Sequence, residues 1–141
     1  MRRELPPPPP PLAGLFARVL EIARSLPGVE ESRSYGTPSI KVAGKVMARL
    51  RSEDEGGLAL RCDFVDRQML MQADPEAFYL TPHYENYPMV LIDLTKVRWD
   101  AMPQLVEQAW RMVAPAKLVA QRDRHDGLDR QHGERDHQHG A

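Results

Sequence analysis

Two sets of side chains in this chain have the types and spacing to do chemistry. Lys41, Lys45, Arg49, Arg51 and Arg61 recur through a run of short β-prone segments. In a regular strand Lys45, Met47, Arg49 and Arg51 share a face, because side chains alternate with period two. A two-stranded ribbon carrying such a row can follow phosphates, and arginine can read guanine in the major groove of duplex DNA. Glu53, Asp54 and Glu55 follow the row directly and would dilute its potential. The plainer alternative is a solvated sheet face.

The second set is aromatic. Tyr79, His83, Tyr84 and Tyr87 cluster around two turns marked by Pro82 and Pro88. Together with Tyr35, the residues His83, Tyr84 and Tyr87 are candidates to line a ligand pocket. A histidine there could act as a general base or hold an anionic group. Asp63, Glu85 and Tyr35 could orient it, and no spacing singles one out. The alternative is that the tyrosines pack beneath a loop and His83 makes a structural hydrogen bond.

Other reactive types form no set. Glu30 and Glu31 are adjacent, and neighbours in an extended chain point apart. Ser32 and Ser34 lack a nucleophile-elbow pattern, and Gly36-Thr37-Pro38 is a turn signal without the pattern of a phosphate loop. Cys62, flanked by Arg61 and Asp63, reads as a semi-buried strand residue. As the only cysteine it can form no intrachain disulfide, which fits a reducing compartment.

Those candidates need a frame. Leu12, Leu15, Phe16, Val19, Ile22, Ala23 and Leu26 recur at helical spacing, and Pro27-Gly28 stops the helix. Ser39 to Val42 and Lys45 to Leu50 flank Ala43-Gly44 and read as a hairpin. Leu58 to Cys62 is a third strand. A short helix is expected from Arg67 to Gln72, capped by Asp66 and ended by Asp74-Pro75. Ala77 to Thr81 and Met89 to Leu94 are two more strands around the aromatic loop. A last helix starts at an Asp100 N-cap, tolerates Pro103 in its first turn, and carries a stripe of Met102, Leu105, Val106, Ala109 and Val113. Trp110 lies beside that stripe as a packing anchor. The expected fold is α+β in the order α-β-β-β-α-β-β-α: one domain, an antiparallel sheet of about five strands, and helices on one face.

The ends differ from the middle. Pro6 to Pro11 are six consecutive prolines, so residues 1–11 read as a stiff disordered arm. Residues 121–141 hold His125, His132, His137 and His139 but one large apolar residue, Leu128, and read as a disordered polar tail. His137 and His139 alone fall short of a metal site, which needs three or four ligands on a rigid frame. Residues 12–120 are the expected folded domain.

The 141 residues suffice for one domain, and an apolar content of 42% supports a modest core without cross-links. A net charge of −1 argues against a strong nonspecific nucleic-acid binder. No stretch is apolar enough to span a membrane, and the prolines after Arg2 and Arg3 interrupt any leader peptide, so a cytoplasmic protein is expected. Nothing in the pattern calls for a cofactor or a metal.

Five segments carry a family resemblance: SLPGVEES at Ser25 to Ser32, YGTPSIKVAGKVMARL at Tyr35 to Leu50, DPEAFYLTPHY at Asp74 to Tyr84, YPMVLIDL at Tyr87 to Leu94 and AWRMVAPAKL at Ala109 to Leu118. In this order and spacing they resemble the MmcQ/YjbR family of small bacterial proteins. The resemblance implies a small fold related to secretion-chaperone-like architectures and a non-enzymatic, DNA-binding role through hairpin wings. It transfers no catalytic residues. Met89 stands where an aromatic residue often follows YP, and Ala116 where a basic residue is common. Two other roles stay open: an adaptor binding a protein or small ligand through the aromatic loop, and an enzyme using His83.

Overall fold

A computed structural model of the protein describes residues 10–34, 36–52 and 56–124. Much of the proline arm, Tyr35, the Glu53 to Glu55 run and the tail histidines lie outside the described residues.

The first helix, α1, spans Pro10–Ala23 and buries Phe16, Val19 and Ala23, as their spacing predicts. It ends before the expected stop at Pro27. The Ser25 and Leu26 amides reach back only three residues, to Ile22 and Ala23, and tighten the exit into a turn.

Six strands form one antiparallel sheet: β1 Val29–Ser34, β2 Thr37–Val42, β3 Lys45–Leu50, β4 Leu58–Arg61, β5 Phe78–Tyr79 and β6 Met89–Ile92. Their spatial order is β1-β2-β3-β4-β6-β5. The count exceeds the expected five by β1. Its sequence, VEESRS, has a single apolar residue and no alternation, and β1 is an edge strand held by its ladder to β2. The β2–β3 hairpin turns through Ala43 and Gly44, both with positive φ (52° and 82°), the geometry of a two-residue hairpin loop.

The short helix α2 spans Phe64–Ala73, longer than expected, and its cap is Asp63 rather than Asp66. The Asp63 carboxylate accepts from the Asp66 amide at 2.7 Å. An aspartate three residues ahead satisfies an orphan donor of the first turn, so the helix opens before the exposed pair Phe64 and Val65. Asp100 likewise is not the cap of α3. It sits in a 3-10 turn, Trp99–Ala101, and pairs with Arg98 at 3.2 Å, while α3 runs Met102–Val113. A further helix, α4, covers residues 116–124, past the expected boundary at Ala120.

Ile40, Ala48, Leu58, Leu60, Val90 and Ile92 point to the inner face of the sheet, where α1 and α3 cover them. Trp110 of α3 is fully buried there, and its indole N–H donates to the Pro27 carbonyl at 2.8 Å. This bond ties the last helix to the loop that opens the sheet. Leu70 and Met71 bring α2 to the same core.

Candidate functional site

The other face of the sheet carries basic residues beside a small apolar cluster, and backbone register decides which basic residues reach it. Ser39 pairs with Arg49, Arg49 with Ala59, and Arg61 with Met89, so these residues share the outer face. The expected row of Lys45, Met47, Arg49 and Arg51 does not form. The register slips between Ile40 and Lys41: Ile40 opposes Ala48, yet Lys41 opposes Val46. Met47 is the extra residue of this bulge and is fully buried. Beyond the bulge the parity of β3 inverts. Val46 takes the outer face, and Lys45 pairs with Val42, a core residue. Lys41 keeps the outer face, opposite Glu30 of β1.

Arg51 is not presented to solvent. It is 7% exposed, its guanidinium reaches the Tyr79 hydroxyl at 3.4 Å, and it lies 5.6 Å from the Tyr84 ring centroid. Arg49 is half-buried and donates to the hydroxyls of Thr37, at 3.2 Å, and Tyr84. Arg61 donates from Nε to the Val46 carbonyl at 3.0 Å, beside the bulge. Among the described residues no carboxylate pairs with Arg61.

The aromatic loop folds back over this face. After Tyr79 the chain leaves the sheet, makes a 3-10 turn over Pro82–Tyr84, and re-enters as β6. Tyr84 is buried against Ala59 and Leu91, with Tyr79, Leu80 and Met89 around them. The expectation that tyrosines pack beneath a loop thus holds for Tyr84. Tyr87 stays outside, 54% exposed. His83 is exposed too, edge-on to Tyr84 at 5.0 Å and tilted to Tyr87 at 6.0 Å between ring centroids.

Between loop and sheet lies a groove of about 490 Å³, lined by Ser34, Val46, Arg49, Arg61, His83, Tyr84, Tyr87 and Met89. The two candidate sets therefore meet in one place. Arg49 and Arg61 come from the basic set, and His83, Tyr84 and Tyr87 from the aromatic set. Lys45 is turned away, Arg51 is buried behind Tyr84, and Tyr35 lies outside the described residues.

One residue central to this site escaped the sequence reading. Arg67, in α2, donates to four carbonyls of the aromatic loop and the start of β6: Tyr87 at 2.8 Å, Glu85 at 3.0 Å, Met89 at 3.1 Å and Tyr84 at 3.4 Å. Its guanidinium also stacks 4.7 Å from the Phe64 ring centroid. A planar fork with five donors suits this task, because it can serve several carbonyls at once. Nothing in the sequence links Arg67 to a loop some twenty residues later.

Among the described residues the groove brings together binding groups but no hydrogen-bonded set around His83. His83 contacts two rings and, among the described residues, makes no hydrogen bond. Of its candidate partners, Asp63 caps α2 and Tyr35 lies outside the described residues, while only the backbone carbonyl of Glu85 is bonded, by Arg67. Cys62 is buried, and its thiol is pushed up to about 11 by burial first and then by the Asp66 and Asp63 carboxylates. Among the described residues no three of histidine, cysteine, aspartate and glutamate gather to hold a metal, and no helix is long and apolar enough to cross a membrane.

Fold and groove together define a single-sheet α+β domain with helices on one face and an arginine- and tyrosine-lined groove on the other. The chain belongs to the YjbR family, whose model matches residues 24–112 and so includes every groove residue. It is also similar to Uncharacterized protein Mb2600 of Mycobacterium bovis and Uncharacterized protein Rv2570 of Mycobacterium tuberculosis. Each is 36% identical over 50 residues, 36% of this chain and 39% of the relative's length. No solved structure matches the chain.

Proposed function

We propose that this YjbR-family chain is a non-enzymatic binding protein that takes the phosphate of a nucleic acid on its outer sheet face. Arg61 is the observation that carries the reading. Its Nε is anchored on the Val46 carbonyl, and among the described residues no carboxylate lines its groove and no ion pair holds it. An anchored guanidinium has donors left for phosphate oxygens and loses little freedom on binding. Arg49 in the groove and Lys41 further along the same face add positive charge.

This site differs from a hairpin wing. The β2–β3 ribbon lies inside the sheet, between β1 and β4, and does not project. Lys41, Arg49 and Arg61 together carry charge for two or three phosphates. On counterion-release grounds, affinity should fall between 50 and 200 mM salt by roughly ten- to forty-fold for a duplex and roughly seven- to twenty-fold for a single strand. The test is fluorescence anisotropy with labelled DNA, single-stranded and duplex. Binding at low salt that drops with salt and weakens at least five-fold in Arg61→Ala supports the reading. No binding of either DNA at low salt, or an unaffected Arg61→Ala, refutes it.

The groove volume also favours a second reading, a small-ligand adaptor. About 490 Å³ falls within the roughly 300–1,000 Å³ of ordinary ligand pockets.

A further inference from the structure

Resting on that reading of the groove, we propose that its ligand is an unpaired nucleotide, with the base against Tyr87 and the phosphate on Arg61. Tyr87 is the starting point. It is 54% exposed where it lines the groove, so its ring is open to a ligand. Its backbone is also unusually fixed for a loop. The Tyr87 carbonyl accepts from Arg67 at 2.8 Å, and its amide donates to the Tyr84 carbonyl at 3.0 Å. The ring is therefore carried on a backbone held at both its amide and its carbonyl.

The neighbours suit a nucleotide. His83 lies tilted 39° to Tyr87 at 6.0 Å, so it does not stack flat on the Tyr87 ring. Arg61, across the groove, is the group for the phosphate. Stacking on an aromatic face is available to every base, and an arginine beside it tracks the backbone. This is the usual composition of single-strand sites.

A paired base cannot use this arrangement. In a duplex both faces of each base are covered by its neighbours, and a strand inside a sheet cannot enter the major groove. Only a base outside the helix, in a single strand or a free nucleotide, can reach Tyr87 while its phosphate reaches Arg61. Those two sources share the same chemistry.

The test uses the full chain and four probes in anisotropy or competition: a labelled oligo-dT of about twelve nucleotides, an abasic strand of equal length, a duplex of equal length, and free dTMP. Expected are tighter binding of oligo-dT than of the abasic strand or duplex, and a loss of roughly ten-fold or more for oligo-dT in Tyr87→Ala. Tyr87→Phe, which keeps the ring, should stay close to wild type. Because Tyr87 is exposed, thermal unfolding should show both variants folded. Competition by dTMP at concentrations matching the strand points to a free nucleotide; weak competition points to a strand, and either supports the proposal. If the abasic strand binds as tightly as oligo-dT and Tyr87→Ala changes nothing while Arg61→Ala weakens both, stacking is overturned and the phosphate reading survives. Preference for the duplex overturns the proposal as well. No binding by any probe at low salt removes both.

Discussion

Removing Arg67 should loosen the groove from behind. In Arg67→Ala four hydrogen bonds to carbonyls are lost, three of them at 2.8–3.1 Å, although the Tyr84 and Tyr87 carbonyls each keep a backbone amide donor. Hydrogen bonds to a charged donor contribute about 1.5–3 kcal/mol each when well shielded, and neutral ones about 0.5–1.5. Two of the three, to Tyr87 and Glu85, are exposed, so water replaces much of their value. The Met89 bond is partly buried and leaves its carbonyl short of a partner. About 1 kcal/mol for each of the three, with a smaller share from the long Tyr84 bond, puts the loss at about 2–4 kcal/mol. With a slope of about 1–3 kcal/mol per molar urea, the unfolding midpoint should fall by on the order of 1–2 M. Arg67→Lys should lie between, since a point charge cannot reproduce the planar fork. Hydrogen exchange localises the effect. The Tyr87 and Met89 amides, bonded to Tyr84 and Tyr87 carbonyls at 3.0 and 2.7 Å, should exchange faster, while β2 and β3 amides keep their protection. An unmoved midpoint with unchanged exchange at both amides would refute the clamp.

Three further outcomes follow from single residues. Cys62, with its thiol at about 11, should resist iodoacetamide in the folded protein: at pH 8 roughly one molecule in a thousand carries the thiolate, and labelling should appear only after urea is added. Glu107 is held below the usual carboxylate range, mainly by its hydrogen bond from Arg122 and also by that from Arg111. The folded form therefore binds a proton less readily than the unfolded chain. The resulting stabilisation is complete above the unfolded pKa near 4.3 and vanishes as pH falls through the lower folded one, so the gap in unfolding midpoint between wild type and Glu107→Gln should close in acid. Gly57 has φ +83°, and an added Cβ would collide with the Tyr79 hydroxyl and approach the Ile92 carbonyl oxygen to 3.3 Å, so Gly57→Ala should cost about 2–4 kcal/mol in urea melts.

How far the sequence could be read depended on where the signal was local. The helical spacing of Phe16, Val19 and Ala23, the stripe of α3 and the Ala43-Gly44 turn each follow from a few neighbouring residues, and each appears in the fold. β1 did not declare itself, because VEESRS acquires its strand character from the ladder to β2 and not from its own side chains. The Asp63 cap was missed because Phe64 and Val65 are apolar yet exposed, which misplaces the first turn. The candidate site was legible as two separate sets. That they share a groove was not, since β3 and the 82–87 loop lie more than thirty residues apart.

Local chain chemistry thus settled which residues were available: the tyrosines and histidine beside their turns, the arginines along their strands, and the apolar periods that make helices and a sheet. Tertiary structure alone decided which of them face the groove. One extra residue at Met47 inverts the parity of β3, turning Lys45 away while Arg49 stays with Arg61. Packing of Tyr84 on Ala59 and Leu91 then brings the aromatic loop down over those arginines, and Arg67 holds it there. The physical reason is that side-chain facing in a sheet depends on register, and register is a property of paired strands.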